Sequence, residues 1–507
     1  MSRIRKLSLL LPAAGLLALS LGPAAAPALA AGHPAAAAGH KTVAASHKTV
    51  TASGAQTLTG TLPDGATYLI QVPANWNGTL FLYSHGYVVP GSANPATDVG
   101  DPITGAAMLA QGFALAGSSY ASTGWAIQQA LPDQISTLNI FDRQVGHPKR
   151  TIAWGHSLGG IITAGLIQQY PNRFAGALPM CGVLAGGVAT WNTALDSEFA
   201  FQQLIDPSVQ VVNITIPPKD PTANLTAADT AAAAAQATPQ GQARLALAAA
   251  LGDTPGWFTP LSAEPAAGDF AGQEANQYLW DTQVTFPFVF ALRAELEQRA
   301  GGNVSWNTGV NYFSDLAKSA DFREVRALYQ AAGLSLRGDL QSLNQATRIS
   351  ADPSAVAYLT RYITFNGELS MPVLTMHTTG DGLVVPENEQ AYRSVVRRAG
   401  DSRLLRQIFV SRAGHCAFTP AETITAAQTL LNRLATGHWD HQALQPASLN
   451  TAAAGLGASY NIFAAQGGTC PVGQPVDGVC PTAPAFTQYR PTPYLRPFDR
   501  RGRGRGH

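Results

Sequence analysis

Residues Trp154-Gly155-His156-Ser157-Leu158-Gly159-Gly160 constrain this chain more than any other stretch. Before them, residues 150–153 read as a short buried strand. After them, residues 161–170 read as a helix that Pro171 stops. A chain that passes from strand to helix this abruptly makes a turn so tight that side chains two before and two after the serine collide. Gly155 and Gly159 remove that collision. The strained turn is expected to hold the Ser157 hydroxyl out at the top of a sheet.

A bare Gly-x-Ser-x-Gly arises by chance in a chain with 49 glycines, so its context decides its meaning. Two later segments supply that context. Residues 373–381 form a buried-strand run that ends in Asp381, and residues 404–415 form another that ends in Gly414-His415. A hydroxyl is scarcely ionised at neutral pH, so Ser157 needs a base, and the base needs an acid to orient it. The order Ser157, Asp381, His415 meets that requirement. Other histidines are worse placed: His156 lies inside the turn, His377 inside a strand, and His438 and His441 beyond the core. Glu387 and Glu389 rival Asp381, but they follow Pro386 at a helix start, where carboxylates also answer the helix dipole.

On these residues the sequence resembles secreted serine enzymes of the α/β-hydrolase superfamily: esterases, lipases, polyester depolymerases and prolyl-oligopeptidase-like hydrolases. The resemblance covers roughly residues 66–181 and 371–434. It implies an α/β fold with a mostly parallel sheet, helices on both faces and a helical cap over the site. It also implies an oxyanion hole built from the Leu158 N–H and from His85-Gly86-Tyr87, with the Tyr87 N–H as second donor and Gly86 permitting close approach. A His-Cys pair after the last strand also occurs in the tannase and feruloyl-esterase family, where a cysteine precedes the serine. Here that position is His156, so the pattern is half met, which argues against tannin or ferulate substrates.

The organisation agrees with this reading. Arg3, Arg5 and Lys6 precede an apolar run over residues 7–21 and an Ala28-Leu29-Ala30 site, which together read as a signal peptide over 1–30 cut near Ala30. Residues 31–57 are expected as a flexible leader with a short His-Lys-Thr-Val repeat. A first core part follows over 58–182, and its strands and helices alternate as a parallel sheet requires. About 190 residues then intervene before the next core strand, far more than a crossover needs, so 183–370 are expected to form a mainly helical cap. The core resumes over 371–444. Residues 445–507 read as an irregular segment with a disulfide loop and a basic, Gly-rich tail.

Four cysteines in an exported chain imply two disulfides with three possible pairings. Cys470 and Cys480 bracket one loop, which leaves Cys181 for Cys416. No Cys/His pair has metal-ligand spacing, so neither metal nor organic cofactor is expected. A net charge of +1 gives no reason for a nucleic-acid partner. The expected function is hydrolysis of a small-molecule or polymeric carboxylic ester by a secreted enzyme with no transmembrane segment. Two alternatives share this fold: a serine peptidase of the prolyl-oligopeptidase type, an aminopeptidase or tripeptidyl peptidase, and a non-catalytic exported binding protein.

Overall fold

The computed structural model describes residues 46–214, 220–464 and 479–498. The signal-peptide residues 1–30, Cys470 and the basic tail beyond residue 498 lie outside the described residues.

Among the described residues, ten strands form one sheet in the order β1-β2-β3-β5-β4-β6-β7-β8-β9-β12. These are β1 (Ser46–Val50), β2 (Gln56–Thr61), β3 (Thr67–Val72), β4 (Thr79–Ser84), β5 (Ala114–Ser118), β6 (Arg150–His156), β7 (Gly176–Met180), β8 (Val373–Gly380), β9 (Leu405–Ala413) and β12 (Phe486–Thr487). A separate antiparallel ribbon joins β10 (Ile462–Ala464) to β11 (Val479–Pro481). The run β5-β4-β6-β7-β8-β9 is parallel throughout. Strands β4, β5 and β7 are buried along their whole length, as strands covered on both faces must be. The fold is α/β, with the carboxyl ends of β6, β8 and β9 at one edge.

The described residues between β7 and β8 contain helices and no strand, beginning with Gly187–Leu204 and ending with Pro353–Arg361. Part of this insertion has its own apolar core, built from Leu195, Phe199, Leu247, Phe290, Tyr312 and Tyr329 among others. The buried ion pair of Arg293 with Glu297 ties its backbone down further, since Glu297 also accepts the Asn213 and Ile214 N–H groups.

Two sequence expectations change. The leader does not run to residue 57: the His47-Lys-Thr-Val repeat forms β1, paired to β2 through a turn at Gly54, where φ is +91°. The strand is fully exposed, so it carries no alternating apolar signal; backbone ladder bonds hold it, with Lys48 Nζ donating to the Gln144 carbonyl. One helix, Ile127–Gln144, leads into β6 and absorbs Pro132 in its interior. The segment from 445 onward is less irregular than expected. It supplies the helix Pro446–Gly455 and then β12, whose buried Phe486 closes the open edge of β9. From there the chain crosses the helix Glu387–Ala399, where Tyr494 N–H donates to Gln390, and reaches the insertion, where Arg496 pairs with Asp196 and donates to the Trp306 carbonyl.

Candidate active site

Ser157 stands between β6 and the helix Leu158–Gln169 with φ +59° and ψ −123°, a left-handed conformation that a serine adopts only when its surroundings impose it. The surroundings are the neighbouring strand. A Cβ on Gly159 would run into the Ser84 carbonyl at the end of β4, and one on Gly155 would meet the same oxygen. The glycines are thus required by β4 as well as by the turn itself. The Ser157 N–H donates to the Met180 carbonyl at 3.0 Å, which fixes the turn to β7.

The Ser157 hydroxyl lies 2.7 Å from His415 Nε2, and His415 Nδ1 lies 2.7 Å from Asp381 Oδ2. These three side chains come from the ends of β6, β8 and β9, the three places the sequence singled out. The other oxygen of Asp381, Oδ1, accepts the N–H groups of Leu383 at 3.0 Å and Val384 at 2.9 Å. Asp381 is fully buried. Burial alone would raise its pKa, but the imidazoles of His415 and His377 outweigh that and hold it at about 2. The carboxylate is therefore ionised and aligned, and it can fix the His415 tautomer that leaves Nε2 free to accept the serine proton.

His415 sits on a braced loop. Gly414 has φ +101°, its N–H donates to the Gly380 carbonyl at 3.0 Å, and its own carbonyl accepts the Thr378 hydroxyl at 2.8 Å. Cys416 follows directly and is disulfide-bonded to Cys181, which follows β7; both cysteines have positive φ. No described cysteine is free.

Of the oxyanion candidates, Gly86 lies beside the same hydroxyl. A Cβ on Gly86 would lie 3.3 Å from Ser157 Cβ and 3.8 Å from its Oγ, so this backbone passes close beside the serine. Leu158 is the first residue of its helix, and its N–H is one of those that no helical carbonyl can accept. Among the described residues no hydrogen bond occupies the Tyr87 N–H. His85 shapes this loop: its ring stacks on Tyr120 with centroids 3.9 Å apart, Nδ1 is 2.8 Å from the Gly86 carbonyl, and burial lowers its pKa.

The insertion packs aromatic rings against two loops of the site. The Phe288 ring meets Tyr87 edge-on at 5.2 Å, within a helix that widens to π-turns over Asp281–Thr285 and Pro287–Leu292. Trp280 covers Gly382 beside the acid, and its indole N–H donates to the Trp257 carbonyl at 2.9 Å.

The rival residues lie elsewhere. His156 points from the turn to Tyr83, with Nδ1 and the phenol oxygen 3.2 Å apart, and burial presses its pKa down to about 4. Glu387 accepts from Thr492. Glu389 and His377 are the residues that sequence reasoning missed as partners. His377 lies beside Asp381 with its Nε2 3.5 Å from Oδ2, and its Nδ1 faces Glu389 at 3.3 Å. The available signal was the placement of Thr375, His377 and Thr378 inside an otherwise apolar buried strand.

No family model matches the chain. The chain is 30% identical over 421 residues to the o-phthalyl amidase of Xanthobacter agilis, a match that spans 78% of this chain and 90% of the amidase. Among solved structures it is similar to the rice cell-wall-degrading esterase LipA of Xanthomonas oryzae, at 13% identity and a TM-score of 0.32 over 77% of this chain and 87% of that one. It is also similar to feruloyl esterase B of Aspergillus oryzae, at 13% identity and a TM-score of 0.35 over 76% and 80% of the two chains.

Proposed function

Since this chain belongs to the α/β-hydrolase superfamily, in one family with the o-phthalyl amidase of Xanthobacter agilis, we propose that it is a secreted serine hydrolase that opens carboxylic ester bonds through an acyl-enzyme. The observation that carries this reading is the unbroken contact from Ser157 Oγ to His415 Nε2 and from His415 Nδ1 to Asp381 Oδ2, each 2.7 Å.

The chemistry follows from those contacts. The Ser157 oxygen attacks the carbonyl carbon while its proton passes to His415 Nε2. The oxyanion that forms is met by the Leu158 and Tyr87 N–H groups, each contributing on the order of 3 kcal/mol to the transition state. As the tetrahedral adduct collapses, the bond to the leaving group breaks and His415 returns the proton to the departing oxygen. Water then attacks the acyl-serine, gives a proton to the same nitrogen, and releases the acid and the serine hydroxyl. Asp381 stays ionised throughout and stabilises the imidazolium. Residues 183–370 serve as a cap, and the contact of Phe288 with Tyr87 supports a substrate with an apolar or aromatic group.

A second reading is favoured by one finding. The relative named above is an amidase, and the same proton relay can expel an amine when Nε2 protonates the departing nitrogen. An amide of an aromatic acid is then the substrate. Export is supported by the basic and apolar run ahead of Ala30 and by the Cys181–Cys416 bond, which persists in oxidising compartments.

Both readings are tested together. A fluorophosphonate probe should label Ser157 in the wild type and leave Ser157→Ala unlabelled. Hydrolysis of p-nitrophenyl esters of increasing chain length, set against o-phthalyl amides and peptide anilides, then ranks ester, amide and peptide chemistry. A wild-type protein that neither takes the probe nor turns over any of them is a binding protein on this scaffold.

A further inference from the structure

We propose that His377, held between Glu389 and the Val384 carbonyl, is a positioning residue that acts through Asp381 and sets the pH range in which His415 works as a base. This rests on the serine-hydrolase reading.

His377 is fully buried and every polar face of its ring is occupied. Nε2 lies 2.7 Å from the Val384 carbonyl oxygen, an atom that can only accept, so Nε2 carries a proton. Nδ1 lies 3.3 Å from Glu389 Oε1. The other oxygen of Glu389 accepts from both the Thr375 hydroxyl and the Gln407 amide, which leaves Oε1 as the acceptor facing Nδ1. With an acceptor in front of each ring nitrogen, both carry a proton. The ring is an imidazolium. Burial opposes that charge, but Asp381 and Glu389 outweigh it and raise the pKa to about 10, with Glu387 adding negative charge at longer range.

The placement of this cation gives it a role. The Asp381 oxygen that accepts the His415 Nδ1–H is the same one that faces His377 at 3.5 Å. One carboxylate oxygen thus serves two imidazoles. Its attraction for a proton on His415 is divided between the two rings. The Leu383 and Val384 N–H groups hold Asp381 Oδ1, and His377 Nε2 donates to the Val384 carbonyl of that same loop. A glutamine at 377 carries an amide N–H that can still donate to that carbonyl, so the charge can be removed while a donor is kept.

The test is the pH profile of kcat/KM for His377→Gln and Glu389→Gln on the best substrate found for the wild type. The acid limb should move to higher pH by about one unit in His377→Gln, which removes the cation and leaves Glu389 uncompensated, and by less in Glu389→Gln, where the cation is lost together with the carboxylate that faces it. Folded variants that take the fluorophosphonate at Ser157 yet keep the wild-type limb would overturn the proposal. A wild type without probe labelling or turnover instead overturns the hydrolase reading beneath it. Should both variants misfold, histidine-selective ¹⁵N NMR of the intact wild type decides: His377 should show two protonated nitrogens at pH 8, and a neutral ring there removes the cation on which the inference stands.

Discussion

Met180 accepts the Ser157 N–H at 3.0 Å, and the residue after Met180 is Cys181, whose sulfur holds Cys416 beside His415. Nucleophile turn and histidine loop are thereby anchored to adjoining residues at the end of one strand. The bond closes a loop with a sequence separation of 235, for which the chain-entropy view gives a stabilisation of about 5 kcal/mol, with typical native bonds nearer 2–5. The double variant Cys181→Ala/Cys416→Ala should lose about 2–5 kcal/mol in denaturant unfolding. It should also lose about tenfold in kcat, because His415 gains freedom. Unfolding curves and ester kinetics on the same sample check both, and a destabilised variant with wild-type kcat would detach the bond from the chemistry.

Asp381→Asn keeps the side-chain shape and can keep Oδ1 where Leu383 and Val384 hold it. It loses the charge and presents the wrong group to one imidazole. The expected fall in kcat is roughly 10⁴-fold. Near-wild-type turnover would move the acid to another carboxylate.

Gly159→Ala brings a methyl group against the Ser84 carbonyl. Neither atom can move without displacing β4 or the nucleophile helix, so a cost of about 1–3 kcal/mol is expected, together with loss of probe labelling at Ser157. Thermal unfolding and the labelling rate measure the two effects separately.

Phe288→Ala opens the wall beside Tyr87. KM for long-chain or aromatic esters should rise about tenfold, while acetyl esters change little, since only bulky groups reach the lost ring. Equal changes for both would place the substrate elsewhere.

The insertion should respond to pH. Burial raises the carboxyls of Glu198 and Asp281 to about 8 and Glu324 to about 9. Acids with raised folded pKa values bind more protons when folded than when unfolded, so stability falls as pH rises from about 5 toward 9. The thermal midpoint should therefore drop over that range, and Glu198→Gln or Asp281→Asn should flatten the slope. A midpoint that climbs with pH contradicts it.

The parallel core was legible because its strands are apolar runs and its turns carry Gly and Pro at positions with a steric reason. Ser157, Asp381 and His415 were legible for the same cause, as strand ends announce themselves by a break in the apolar run. Strand β1 was not, since a strand exposed along its whole length has no alternating apolar pattern. Nor was His377: its partner Glu389 stands 12 residues away across a helix start, and its meaning appears only when β8 and that helix are packed together. The path of residues 486–498 likewise depends on contacts more than a hundred positions distant.

The C-terminal strap that runs from β12 to Arg496 changes what the insertion is able to do. A flap attached only through its two chain ends could swing as a door, but this one is also lashed down by the Arg496 link to Asp196 and the seat of Tyr494 against Ala185 and Ala189. Any wide rotation has to strip a buried ion pair and an apolar plug together. Cutting the chain ahead of Tyr494 would remove both links at once and loosen a helix 300 positions earlier in the sequence.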